Sequence, residues 1–347
     1  MRYELNKFGY LTPTSVTDAV NMLTKYGDQA RVIAGGTDLL YRMKDGLKYH
    51  NPQYVVDITG LGLSGVTYDG TNGLKIGATT PLSTVQADPN VGQYYNAIKQ
   101  ATTGHPSQIA NQGTAGGNIS QEVWCWYLRN NYDCWRNGGT VCYAANGDNR
   151  YYHSIFGGNL CYAVHASDLS TALFASNASV TIQGPGGSRT VSMDQFIPGV
   201  TIVDGRVKEN TLHYNEIVTS INVPVPASGT KSAFFRVTDR DAIDFPFASV
   251  AVSATFNGSN VASANMVLGH VATKPLRLPA ANSYLVGKSL SDETALSGAA
   301  DQALAGAVPL THPSVGAHGV QQGTPGNAFR VYIAKGAVIN ALRLLNS

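Results

Sequence analysis

Apolar and polar positions recur along this chain with two different periods. In TSVTDAVNMLTKYG, residues Val16, Ala19, Val20 and Leu23 fall on one face of a 3.6-residue repeat, which predicts a helix. Thr14 or Ser15 can cap it, and Gly27 stands where a C-terminal glycine belongs. The short apolar run ARVIA predicts a buried strand that enters a glycine turn and then a second helix, TDLLYRM. YVVDI and LKIGA predict further strands, and VGQYYNAIKQA a further helix. Later, DLSTALFAS predicts a helix, and ASVTIQG a strand closed by the turn GPGG. EIVTSINVPVP predicts the next strand, and its prolines together with ASGTK mark a boundary near residue 227. Beyond it, FASVAVSATF and VASANMVLGHV flank the polar turn NGSN as an antiparallel hairpin. DETALSGAADQALAGA and NAFRVYIAKGAVINALRLL predict the closing helices. The reading is an α+β N-terminal part and a smaller α+β C-terminal domain, without internal repeats.

Composition narrows the partners. A chain of 347 residues with 43% hydrophobic positions has ample material for two or three domains with buried cores. Only 13% of residues are charged and the formal net charge is +2, which argues against nucleic acid or an anionic membrane as the main partner. A sparsely charged surface also suits coverage by another protein. The start, MRYELNKFGYL, lacks the features of a signal peptide, and no apolar run is long enough to span a bilayer. No membrane insertion is expected, and a cytoplasmic location is the default; export on a partner's signal would leave no trace here.

Two glycine turns carry candidate chemistry. AGGTDLL places Gly35 and Gly36 between a strand and a helix N-terminus, followed by Thr37 and Asp38. Paired glycines permit positive φ and close backbone approach, which suits a pyrophosphate; a tight turn with an ordinary N-cap is the simpler alternative. SQIANQGTAGGNIS gathers Gly113, Gly116 and Gly117 among small amide and hydroxyl side chains, which suit a phosphate or a ribitol chain. It lacks the G-x-G-x-x-G fingerprint, so a Rossmann site is not expected. Two such turns in one subdomain favour a dinucleotide.

The cysteines carry a second chemistry. All four, Cys125, Cys134, Cys142 and Cys161, lie in one window at intervals C-x8-C-x7-C-x18-C. Zinc sites usually show C-x2–4-C pairs, which are absent, and paired disulfides belong to small secreted scaffolds. Ligation of one iron–sulfur cluster by four thiolates is the favoured reading, with zinc and inert thiols left open. Glycines at 138, 139, 147, 157 and 158 would let the loop close around it. Nearby, Trp124, Trp126, Tyr127 and Trp135 are read chiefly as packing, and His153 and His165 as structural histidines. Arg236, Asp239, Arg240 and Asp244 are read either as neighbours of a ligand or as surface ion pairs.

Taken in order, AGGTDLL, GATTPLSTV, NQGTAGGNIS, HASDLSTAL and VLGHVATKPLR resemble the FAD-binding, or medium, subunit of the molybdenum hydroxylases, the family of xanthine, aldehyde and carbon monoxide dehydrogenases. The resemblance runs from near the N-terminus to the last helix. It implies a two-lobed, vanillyl-alcohol-oxidase-like FAD domain over residues 1–60 and 61–226, then a C-terminal α+β flavoprotein domain with an antiparallel sheet over 227–347. Carried over by position, Ala34, Gly35, Gly36, Thr37 and Asp38 wrap the FAD pyrophosphate. Thr114, Gly117, Asn118 and Ser120 continue that contact, and Asp168 binds ribityl or ribose hydroxyls. No catalytic residue is carried over. The family carries an arginine where this chain has Ala110, so a side-chain contact there is not expected.

Most medium subunits of the family lack such cysteines. The window is similar to an inserted loop, here about 121–162, found in bacterial aldehyde oxidoreductases and in 4-hydroxybenzoyl-CoA reductases. There it binds an extra [4Fe–4S] cluster, and the aldehyde oxidoreductase branch is the closer. That resemblance implies Cys125, Cys134, Cys142 and Cys161 as cluster ligands. It further implies a heterotrimer: a large partner with the molybdenum cofactor, and a small partner whose two [2Fe–2S] clusters feed electrons to FAD here and on to an external acceptor. The rivals are a reductase subunit of the benzoyl-CoA type with inward electron flow, a stand-alone flavin oxidoreductase, and a nonenzymatic cluster scaffold.

Overall fold

The computed structural model describes residues 4–49, 51–240, 244–311 and 326–346. Its first unit is a three-stranded parallel sheet in which Tyr54–Asp57 lies between Gly9–Leu11 and Ala30–Ile33. Helix Val16–Tyr26 packs its predicted face, Ala19, Val20 and Leu23, onto this sheet, with Ser15 capping the Asp18 amide. Burying three such side chains is worth several kcal/mol at about 25 cal/mol per Å². Gly27 ends the helix with φ +53.

The second unit is a five-stranded sheet ordered Val66–Asp69, Gly73–Gly77, Ile217–Val223, Ser179–Gly184, Gly187–Ser192. Ile217–Val223 enters its centre from far along the chain, between Gly73–Gly77 and Ser179–Gly184, and the cysteine window lies in the long connection that joins those two strands in sequence. Helix Asp168–Ala175 is buried along its whole length behind this sheet. The third unit is the four-stranded antiparallel sheet Lys231–Val237, Ala248–Asn257, Asn260–Gly269, Leu276–Arg277, backed by Glu293–Leu304 and Phe329–Asn346. The expected hairpin is its centre, and mixed helix and sheet with a C-terminal antiparallel sheet is the architecture found. Phe234, Ala251 and Val267 of this sheet also belong to the core of the second unit, which joins the two.

Two local expectations are corrected. VGQYYNAIKQA forms two helices, Pro89–Tyr94 and Asn96–Thr103, because Tyr95 at φ −135 breaks the run. Its ring is buried and its hydroxyl donates to the Pro224 carbonyl at 3.0 Å. Likewise SQIANQGTAGGNIS is two short helices, Ser107–Gln112 and Ala115–Ser120, with only Gly113 and Thr114 between them.

Candidate functional site

The two glycine turns meet. A side chain at Gly35 would run into the Gln112 carbonyl oxygen, with Gly113 Cα at 3.0 Å, so these backbones touch only because residue 35 is glycine. Gly36 adopts φ +71 and reverses the chain into helix Leu39–Asp45. On the other side, Thr114 Oγ1 accepts from the Gly117 amide at 3.2 Å, and the Gly116 amide donates to the Ala78 carbonyl at 2.8 Å.

Between the turns lies a cavity of about 540 Å³. All ten positions carried over for the flavin line it: Ala34, Gly35, Gly36, Thr37, Asp38, Thr114, Gly117, Asn118, Ser120 and Asp168. Its size suits a large organic ligand. Buried polar atoms without a protein partner stand along its wall: Ser120 Oγ, His105 Nε2 and Asp168 Oδ1. Such atoms are costly unless a ligand or water completes them. A hydroxyl-rich ribityl chain is chemically matched to that set.

Individual side chains are already committed. Asp38 sits at the helix start but makes no capping bond. Its carboxylate accepts from Arg129 at 2.9 Å and from the Glu122 amide at 2.9 Å, and pairs with Arg42 at 3.1 Å. Burial pushes its pKa up, but these donors more than offset it, and the group is held below the usual carboxylate range. Asn118 accepts from Ser167 Oγ at 2.6 Å. Asp168 Oδ2 accepts from Arg236 at 3.2 Å while burial raises its pKa. Arg236 and Asp244 line the cavity, whereas Arg240 is exposed and paired with Asp244. His105, Glu122, Arg136 and Glu209 also line it. Sequence reading missed them because each is a lone polar residue outside any spaced pattern.

The cysteines converge as well. Cys125, Cys134, Cys142 and Cys161 are all free and all line one small cavity. Three of them stand immediately before a helical turn, at Trp126–Arg129, Trp135–Asn137 and Tyr143–Asn146. Amides opening those turns bond each sulfur. Cys161 Sγ accepts from Arg136 Nε at 3.2 Å and from the Ala163 amide at 3.4 Å, and Cys125 Sγ lies 3.3 Å from His153 Nε2. Burial pushes the Cys125 thiol up to about 12 and raises Cys134 and Cys142. Raised values of this kind favour the protonated thiols; only a positive group bound among them would make thiolates the stable form.

Among the described residues no three His, Cys, Asp or Glu side chains gather as a single metal ion would need. Tetrahedral zinc at about 2.3 Å from each sulfur would draw them to roughly 3.8 Å from one another. The surrounding aromatics pack the loop: Trp126 meets Tyr127, Tyr151, Tyr152 and His153 with ring centroids 5.8–6.3 Å apart. Trp124 instead lines the larger cavity, with Arg129 stacked 4.0 Å over its ring.

Comparison with known proteins decides the family. Residues 6–226 match the family described as the FAD binding domain in molybdopterin dehydrogenase. The chain belongs to that family. Residues 233–318 match the CO dehydrogenase flavoprotein C-terminal domain. The chain is 33% identical over 262 residues to the aldehyde oxidoreductase FAD-binding subunit PaoB of Escherichia coli (strain K12), covering 74% of this chain and 79% of that one. It is 30% identical over 314 residues to the carbon monoxide dehydrogenase medium chain of Afipia carboxidovorans, covering 88% of each. The solved structure of reconstituted CO dehydrogenase from Oligotropha carboxidovorans superposes with a TM-score of 0.73 at 26% identity, over 99% of this chain and 98% of that one. The protein is thus the FAD-binding medium subunit of a molybdenum hydroxylase, an oxidoreductase component of a molybdopterin-containing dehydrogenase. Among the described residues no helix is long and apolar enough to cross a membrane.

Proposed function

We propose that this chain is the electron-relay subunit of an aldehyde- or xanthine-dehydrogenase-type enzyme, carrying FAD and one [4Fe–4S] cluster. FAD, when bound, accepts electrons singly and passes them on singly or in pairs. The two glycine turns would hold its pyrophosphate through backbone amides. Ser120 and Asp168 would take ribityl or ribose hydroxyls, and Asp38 would hold Arg42 and Arg129 in place rather than face the phosphates itself. Cys125, Cys134, Cys142 and Cys161 would ligate the cluster. Partners with a molybdenum cofactor and [2Fe–2S] clusters would supply electrons, and an external acceptor would remove them. The division of the chain near residue 227 belongs to the same reading, supported by the loop between Val223 and Lys231.

The observation that carries the cluster is that four thiols, from separated turns, line one cavity and each accept hydrogen bonds. Amide and guanidinium donors to ligating sulfurs are how proteins set cluster potentials. The test is iron, acid-labile sulfide and flavin on anaerobically purified protein. About four irons and four sulfides with one FAD per chain are expected for this cluster type. Flavin with zinc, or with no metal, would remove the cluster and leave an ordinary medium subunit. A Cys134→Ser protein that retains FAD yet reduces every acceptor at the wild-type rate would remove any role for the cluster in acceptor choice.

A further inference from the structure

The flavin cavity and the cysteine cavity share one side chain in their lining. Arg136 is 4% exposed and lines both. Its Nε donates to Cys161 Sγ at 3.2 Å, Nη1 bonds Glu122 Oε1 at 2.6 Å, and Nη2 pairs with Glu209 Oε2 at 3.4 Å. Both glutamates line the larger cavity, and Glu209 Oε1 has no hydrogen-bond partner. A planar guanidinium with three directions of donation is the group able to serve a sulfur on one edge and carboxylates on the other.

A packing role alone does not explain this arrangement. The loop is already fixed by its own apolar cluster around Leu47, Val123 and Leu128. A buried cation beside Glu122 and Glu209, the latter pushed up to about 8 by burial, is an expensive way to fill a wall, because desolvation offsets most of the attraction. Placed between two redox groups, however, the charge acts on both. An electron added to either side increases the negative charge facing Arg136, and in a poorly solvated wall that interaction is weakly screened.

We propose that Arg136 is a positioning residue that couples the two redox sites, holding the midpoint potentials of cluster and flavin up together through one shared cation. The inference rests on the cluster reading above. Removing the charge would take the one shared cation away from both cavities, so the reduced state of each group would be disfavoured at once. No electron or proton needs to move through Arg136 for this.

The experiment is a redox titration of the assembled holoenzyme, with the reduced cluster followed by EPR and the flavin by absorbance. Wild type is compared with Arg136→Gln and Arg136→Lys. The expected result is that Arg136→Gln keeps iron, sulfide and flavin at wild-type ratios while both midpoints move negative. Arg136→Lys moves both in the same direction by less, and it decides alone if Arg136→Gln fails to assemble. Midpoints that stay at wild-type values, or a cluster midpoint that moves while the flavin's does not, would overturn the coupling. A wild-type protein without iron would instead overturn the cluster reading, and the inference with it.

Discussion

Replacing Gly35 by alanine probes the contact on which the larger cavity depends. The added Cβ would overlap the Gln112 carbonyl oxygen, with the Gln112 carbonyl carbon at 2.8 Å and Gly113 Cα at 3.0 Å. These are backbone atoms, so no side-chain rotation relieves the overlap and one of the two turns must move. Overpacking of this kind typically costs about 1–3 kcal/mol. If that strain falls on the flavin-bound geometry, FAD is retained about 5- to 150-fold less tightly. Gly60 is the control, because a Cβ there meets nothing within 4 Å. The assay is flavin per chain after gel filtration, together with the urea midpoint, for wild type, Gly35→Ala and Gly60→Ala. A Gly35→Ala protein matching Gly60→Ala in both would refute the claim that this close approach shapes the site.

Acid stability should respond to two buried histidines. Burial pushes His165 and His270 down to about 3, so both are neutral in the folded protein. A depressed folded value means their contribution is complete above the unfolded pKa of about 6.5 and is lost as pH falls from there towards 3, by at most about 1.4 kcal/mol per pH unit each. A urea midpoint that is flat between pH 7.5 and 5.5 would contradict this. Arg330→Met should destabilise the chain by about 3–5 kcal/mol, because it strips the donor from several buried carbonyls at once; if the proposed cluster is bound, iron should be lost with it. Unchanged urea midpoint and iron content would show that those carbonyls find other partners.

Much of the site was legible in the sequence for a physical reason. Gly35 and Gly36 are required by close approach and by positive φ, constraints that force one residue type and so leave a visible mark. The four cysteines stood out because all of them fall in one window, and folding brings them to one small cavity. Tyr95 was misread because periodicity records which face is apolar, not where a buried ring will interrupt the helix. Arg136, Glu122 and Glu209 were invisible for a deeper reason. They lie at separated positions, and only folding makes them one group, with nothing in local pattern to distinguish them from surface charges. His105, beside Pro106, gave no signal for the same reason.

Arg330 bears on how the protein is made. Its guanidinium, fully buried at the start of the last helix, donates to the carbonyls of His153, Phe247 and His270. Asn327 adds bonds from its side chain to His153 and Ser154, at 3.1 Å each. The downstream part of the cysteine window is therefore pinned by residues 173 to 177 positions later in the chain. At about 5–20 residues per second, a ribosome needs roughly 10–35 s to reach them after the window has emerged. For that interval a nascent chain presents four thiols in a segment still lacking its anchor. If the proposed cluster is bound there, its loading would wait for the close of synthesis, and truncations that spare every cysteine but remove the last helix should yield chains that cannot hold iron.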